Sequence, residues 1–131
     1  MNVASIMTRN VLTVEMDYSI QIIRDIFKNF EFHHILVLKN HKLIGVISDR
    51  DLIDKEEHDT ITLDKKAHEI MSRNLITVDV ETSMEKASDL LLENYISCLP
   101  VISPQSSVEG IVSWKDILKF YSKNKICHCL S

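Results

Sequence analysis

Serine and aspartate recur at one spacing in two places of the chain. The first copy is Gly45-Val46-Ile47-Ser48-Asp49-Arg50-Asp51, and the second is Gly110-Ile111-Val112-Ser113-Trp114-Lys115-Asp116. In each copy an apolar strand ends at the serine and a helix is predicted to follow, so the first backbone amides of the helix can hold an anion. The serine can donate to phosphate, and the aspartate can accept both hydroxyls of a ribose. The same spacing also caps helices that bind nothing, which is the more common outcome for a single copy.

The remaining candidates for chemistry are weak. With two glycines, the chain can form neither a Gly-x-Gly-x-x-Gly dinucleotide turn nor a P-loop. His68-Glu69 is followed by Ser72 where a zinc-protease helix carries its second histidine. Cys127-His128-Cys129 supplies at most two well-placed thiolates, whereas zinc takes four donors. We therefore predict no metal site, and catalysis by carboxylates or histidines is the least favoured class.

Length and charge describe an ordinary globular chain. Its 131 residues allow one compact domain or two small halves that share a core. A formal net charge of −4 argues against a nucleic-acid surface. Three cysteines suit a reducing compartment, the first residues do not resemble a signal peptide, and no apolar run reaches membrane-spanning length. We expect a cytoplasmic protein without a membrane partner.

The chain consists of two repeats. Residues 6–14 return 64 residues later as 70–78, with six of nine positions identical, and both glycines fall at equivalent positions. One residue is gained in the loop 103–107, which replaces 39–42. Hydrophobic periodicity predicts the order β-α-β-β-α in each copy. The predicted strands are 11–14, 35–38 and 43–48, then 75–78, 99–102 and 108–113.

The predicted helices have apolar stripes. Ile20, Ile23, Phe27 and Phe30 form one, and a Thr82–Glu85 capping box is expected to begin the second copy's helix. We expect an α+β fold in which the two sheets pack face to face with pseudo-two-fold symmetry. The predicted boundaries are 1–58 for the first repeat, 59–122 for the second and 123–131 for a C-terminal tail.

The repeated Ile-Met-Thr/Ser opening and the closing Gly-h-h-Ser-x-x-Asp (h, hydrophobic) resemble the cystathionine β-synthase (CBS) domain. The likeness covers nearly the whole chain, and two copies in tandem resemble a CBS pair. It implies a regulatory module that binds AMP, ADP, ATP, S-adenosylmethionine or NAD in clefts between the repeats. The chain departs from the family at Leu36, where a proline is common and where the second repeat keeps Pro100.

The resemblance also implies the residues of two clefts, each with a ribose aspartate from one repeat and an adenine pocket from the other. The first cleft would contain Ser48, Asp51, Ile76, Thr77 and Cys98, with Lys115 reaching phosphate. The second would contain Ser113, Asp116, Leu12, Thr13, His33 and His34, with Arg50 reaching phosphate. Because phosphate needs positive charge in a poorly solvated place, charge favours the second cleft. The alternative for the two histidines is a polar corner between helix and strand.

Three classes of function stay open. The leading one is a nucleotide sensor that acts on a partner protein and has no catalysis of its own. The second is a dimerisation scaffold with vestigial sites, and the third is an enzyme. The resemblance implies a homodimer formed through helices. Trp114 packs against the neighbouring repeat or a second subunit, or flanks a ligand.

Overall fold

The computed structural model describes residues 1–56 and 64–123 of the chain. Two compact units divide it: Val11–Leu75, called the first-repeat unit, and Met1–Asn10 with Ile76–Ser131, called the second-repeat unit. The predicted boundary between residues 58 and 59, and the predicted tail after Lys123, lie outside the described residues. Within those residues, no helix is long and apolar enough to cross a membrane.

The first-repeat unit is built on a three-stranded sheet in the order β1-β2-β3, with β1 parallel to β2 and β2 antiparallel to β3. Its buried core is aliphatic and includes Ile23, Ile35 and Ile47, each 0% exposed. The elements are β1 (Leu12–Glu15), α1 (Ile20–Asn29), β2 (His34–Lys39), β3 (Lys42–Ser48), α2 (Asp49–Glu56) and α3 (Ala67–Ile70).

The second-repeat unit repeats this plan with a two-stranded antiparallel sheet. Leu99, Val101 and Val112 are each 0% exposed and lie in its core. Its elements are a 3-10 turn (Val3–Ser5), α4 (Met84–Asn94), β4 (Cys98–Ile102), β5 (Val108–Ser113) and α5 (Trp114–Lys123). The predicted α+β class is confirmed, whereas the face-to-face packing of the two sheets stays a prediction.

The strand predicted at 75–78 was wrong in extent, because only Val78 pairs with the sheet. Val78 donates to the Pro100 carbonyl at 3.0 Å and accepts from Ile102 at 2.9 Å. The next rung of a parallel ladder would need an amide hydrogen at residue 100, which proline lacks. The equivalent residue of the first repeat is Leu36, and there a full strand β1 forms.

The Ile-Met segment that opens each repeat packs onto a strand of the other repeat. Thr8 exchanges two backbone hydrogen bonds with Ile111, at 2.8 and 2.9 Å. Ser72 exchanges two with Val46, at 2.9 and 3.1 Å. This exchange explains why the compact units do not follow the repeat as it runs in the sequence.

The repeated glycines leave room for these segments. A Cβ at Gly45 would overlap the Sδ of Met71, and one at Gly110 would lie 2.7 Å from the carbonyl oxygen of Thr8 and 3.0 Å from the Sδ of Met7. Only a residue without a side chain lets the segment approach so closely.

Two local expectations were wrong at helix ends. Ser83, rather than Thr82, caps α4 by accepting from the Lys86 amide at 3.0 Å. Thr82 instead bonds with Asp79 in the preceding turn. Phe30 leaves the stripe of α1 because the helix ends at Asn29, and its side chain is 58% exposed.

Candidate functional site

In the first-repeat unit, the strand ends gather most of the predicted site residues at one edge of the sheet. Leu12 begins β1, His34 begins β2, and Ser48 ends β3 directly opposite His34. Thr13 follows in β1, and His33 immediately precedes β2. Arg50 and Asp51 lie in the first turn of α2, which begins at this edge. The unit therefore brings these seven residues to one end of its fold.

Ser48 and Asp51 form a reciprocal cap on α2. The Ser48 amide donates to Asp51 Oδ2 at 2.9 Å, and the Asp51 amide donates to Ser48 Oγ at 3.3 Å. Each side chain thus accepts a hydrogen bond from the backbone amide of the other residue, so two amides at the start of the helix have partners. The capping alternative predicted from the sequence is present in this copy.

The two histidines have different surroundings. His33 is exposed, its Nδ1 lies 3.0 Å from Asp49 Oδ2, and its carbonyl accepts from the Asp49 amide at 3.0 Å. His34 is half-buried, and burial lowers its pKa below the ordinary 6.5 despite the opposing charges of Asp49 and Asp51. His34 is therefore mainly a neutral ring at pH 7, able to donate from one nitrogen and accept at the other.

In the second-repeat unit, Ser113 and Asp116 form the matching cap on α5. The Ser113 amide donates to Asp116 Oδ2 at 2.9 Å, and the Asp116 amide donates to Ser113 Oγ at 3.2 Å. The Ser113 hydroxyl also donates to Asp116 Oδ2 at 3.1 Å. Thr8 donates its hydroxyl to Asp116 Oδ1 at 3.1 Å. Both carboxylate oxygens of Asp116 thus accept hydrogen bonds within this unit.

The other predicted residues of this unit offer little charge. Cys98 begins β4 opposite Ser113, and burial raises the pKa of its thiol to about 12. Ile76 packs against the unit's core, and Thr77 is exposed beside it. Lys115 is exposed in the first turn of α5 and is the one cation of the set.

Each predicted cleft combines residues of both units, so these cross-repeat groupings stay predictions. The structure adds two residues that the sequence argument had not assigned: Thr8, which bonds Asp116, and Asp49, which pairs with His33. The sequence could have pointed to Asp49 because it lies inside the Gly-h-h-Ser-x-x-Asp motif. It could have pointed to Thr8 because Thr8 lies in the repeated Ile-Met-Thr/Ser segment. No group of three or more potential metal ligands lies within residues 1–56 and 64–123.

Comparison with known proteins agrees with this architecture. The family model of the CBS domain matches residues 3–58 and 67–123. Inosine-5'-monophosphate dehydrogenase of Nitrosopumilus maritimus is 29% identical over 114 residues, which are 86% of this chain and 23% of that protein. The chain thus spans about a quarter of the length of this curated relative.

Two solved structures cover the chain almost completely. The CBS domain pair of protein MJ0100, in complex with 5'-methylthioadenosine and S-adenosyl-L-methionine, has a TM-score of 0.85 and 25% identity, covering 95% of this chain and 98% of its own. CBSX2 in complex with AMP has a TM-score of 0.81 and 25% identity, with the same coverage. The chain therefore belongs to the CBS-domain family and carries two copies of the domain in tandem.

Proposed function

We propose that the chain is a regulatory module that binds an adenosine-containing ligand and communicates its binding state to a partner protein. The observation that carries this proposal is the capped Ser-x-x-Asp at a strand end in both units. It holds a carboxylate beside the first amides of a helix. The complexes of related CBS pairs with 5'-methylthioadenosine, S-adenosyl-L-methionine and AMP support it. The candidate ligands are AMP, ADP, ATP, S-adenosylmethionine and NAD.

The capped carboxylate would hold the ribose. Asp51 uses Oδ2 for the Ser48 amide, and its remaining lone pairs can accept the 2'- and 3'-hydroxyls. Because the cap fixes the aspartate before the ligand arrives, less side-chain entropy is lost on binding. At Asp116 the ribose would share or displace the Thr8 hydroxyl.

The phosphate end depends on a small number of cations. In the second cleft, Arg50 supplies the fixed positive charge, since the lowered pKa of His34 keeps that ring mainly neutral. In the first cleft, Lys115 has this function, beside Ile76, Thr77 and the buried thiol of Cys98. Two imidazole rings add hydrogen-bonding groups to the second cleft, so we retain the Asp116 cleft as the primary site.

Calorimetric titration of the five candidate ligands into wild type, Asp51→Ala and Asp116→Ala tests this proposal. The two variants are matched, because each removes one helix cap and should lower stability by about 1 kcal/mol. We expect Asp116→Ala to abolish binding of the preferred ligand and Asp51→Ala to retain it. Binding that survives Asp116→Ala but not Asp51→Ala would move the site to the first cleft.

The competing function is a ligand-free scaffold. It predicts no binding heat with any of the five ligands at millimolar concentration, together with a stable dimer. That result would overturn the sensor proposal. We propose no catalytic activity for the chain.

Exposed apolar side chains on α5 support a homodimer. Trp114, Leu118 and Tyr121 lie four and three residues apart on one helix face and are 56%, 53% and 39% exposed. A second copy would remove this surface from water. We expect Leu118→Glu to yield a monomer in sedimentation velocity. Lys119→Glu, an exposed position on the same helix, should leave the dimer intact.

We place the module in the cytoplasm, where adenosine nucleotides and a regulated protein would both be available. The three cysteines suit this reducing compartment.

A further inference from the structure

The second-repeat unit contains a groove of about 520 Å³ at the end of its sheet opposite the Ser113–Asp116 cap. Its apolar lining is formed by Val78, Leu90, Ile102 and Pro104. Val78 forms a parallel bridge with Val101, next to Ile102 at the end of β4. Cys98 and Ser113 pair at the other end of this sheet. The groove therefore lies away from the Ser113–Asp116 cap, and it shares Thr77 with the proposed first adenosine cleft. Its volume is that of a small-molecule pocket.

One carboxylate and one ammonium line this groove. Asp79 is held by its turn, since its Oδ1 accepts from the Glu81 amide at 2.9 Å and from the Thr82 hydroxyl at 3.2 Å. Lys86 is exposed in the first turn of α4. Although both side chains line the groove, no ion pair joins them in the described structure.

Opposite charges over an apolar lining select the chemistry of the occupant. A ligand with only an anionic group would approach Asp79, and one with only a cationic group would approach Lys86, each at an electrostatic cost. An uncharged apolar ligand would remove water from both charges without replacing their hydrogen bonds. A zwitterion with an apolar body satisfies both charges and the lining.

We propose that this groove binds a small apolar α-amino acid. Its carboxylate accepts from Lys86, its ammonium donates to Asp79, and its side chain packs against Val78, Leu90 and Ile102. This is a second ligand site, of a different chemical class from the adenosine site, and it does not rest on that site.

The first repeat lacks this combination at the equivalent positions. Sixty-four residues earlier in the sequence, Tyr18 replaces Thr82 and Ile22 replaces Lys86. The ring of Tyr18 is larger than the side chain of Thr82, and Ile22 lacks the positive charge of Lys86. Glu15 keeps the negative charge of Asp79. The amino-acid site is thus a property of the second repeat alone, and the first repeat supplies a natural way to block it.

The test is an NMR titration of the ¹⁵N-labelled full chain with L-leucine and L-methionine. We expect saturable amide shifts at millimolar concentration, concentrated at residues 77–90 and 102–104. 4-Methylpentanoate lacks the ammonium and 3-methylbutylamine lacks the carboxylate. Each should bind at least about tenfold more weakly than leucine, as expected for a lost charge-assisted hydrogen bond.

Two variants address the groove directly. Lys86→Gln and Thr82→Tyr should each weaken leucine binding by at least about tenfold. Lys28→Gln, an exposed lysine on α1, should leave it unchanged. The amide spectrum shows whether each variant is folded, and calorimetric binding of the adenosine ligand to Lys86→Gln should be retained.

Three outcomes would overturn the proposal. They are the absence of saturable shifts with either amino acid, equal affinity for leucine and its two half-analogues, and unchanged leucine binding by both groove variants. None of these outcomes tests the binding of ribose by Asp51 or Asp116, which the calorimetric titration of those two variants measures, so failure of one proposal is distinguishable from failure of the other.

Discussion

His34 links the stability of the first-repeat unit to pH. Burial lowers its pKa below 6.5 in the folded state, whereas the unfolded chain has the ordinary value. Between these two pKa values the unfolded state binds more protons, so the free energy of unfolding falls as the pH is lowered through about 6.5. The slope from this one group is at most about 1.4 kcal/mol per pH unit, and it disappears below the folded-state pKa.

Urea denaturation of wild type and His34→Gln between pH 5 and 8 measures this contribution. We expect the variant to lose less stability than wild type as the solution is acidified through this range. His41→Asn, at an exposed turn position with φ of 67°, is the matched control and should keep the wild-type pH dependence. An unchanged pH dependence in His34→Gln would contradict the assignment to this ring.

Tyr95 is strained at the end of α4. It has φ 54° and ψ 39°, in the left-handed region, and its side chain is 95% exposed. This conformation destabilises the folded state by about 1 to 2 kcal/mol for a residue with a side chain, because of steric overlap with the backbone. Glycine avoids this cost, but its greater freedom in the unfolded chain offsets part of the gain. We expect Tyr95→Gly to raise the free energy of unfolding by about 0.5 to 1 kcal/mol.

Phe30 ends α1 at the corresponding place and is the matched control for Tyr95. Its φ of −133° is extended, so glycine relieves no strain there. We therefore expect Phe30→Gly to give no stabilisation in the same denaturation experiment. Equal stabilisation by the two substitutions would show that left-handed strain is not the cause.

At the scale of elements, the Ile-Met segments and the glycine-bearing strands fit each other. An alanine Cβ at Gly45 meets the Sδ and Cγ of Met71, which can rotate away, and the Cβ of Met71 at 3.0 Å, which must shift by a few tenths of an ångström. At Gly110 it meets the Thr8 carbonyl oxygen, which belongs to the backbone and is hydrogen-bonded to Ile111. Overpacking costs about 1 to 3 kcal/mol, and we expect Gly45→Ala near the lower value and Gly110→Ala near the upper.

Equilibrium denaturation of the two alanine variants tests this difference. Because the two glycines are equivalent in the repeat, each variant is the control for the other. Equal losses of stability would contradict the distinction between a side-chain and a backbone neighbour.

The sequence was sufficient for the order of the elements, apart from the strand expected at 75–78, and for the two Ser-x-x-Asp caps. Alternation, helical periodicity and the Ser-x-x-Asp spacing are local patterns, and local patterns determine where strands and helices begin. It was insufficient for the partner of each Ile-Met segment, since Thr8 and Ile111 are far apart in the sequence and no local pattern specifies their contact. The shortened strand at Val78 follows from Pro100, whose missing amide is visible in the sequence once the pairing is known.

At the scale of the whole molecule, the chain passes between units twice. It leaves the second-repeat unit after Asn10, forms the first-repeat unit, and returns at Ile76. In the clefts that we propose, an adenosine ligand would take its ribose contact from one repeat and its adenine contacts from the other. Such a ligand binds the native state and not the unfolded chain, so it must stabilise the native state.

Thermal unfolding with AMP, and with GMP as the matched control, tests this central claim most directly. At about 100 times its Kd, AMP should stabilise the native state by about 2.7 kcal/mol. That corresponds to a rise in Tm of about 10 °C for a chain of this size, and GMP should produce none. If AMP binds too weakly, ADP, ATP, S-adenosylmethionine or NAD should produce the rise instead. An unchanged Tm with all five ligands at millimolar concentration, or an equal rise with GMP, would contradict the account.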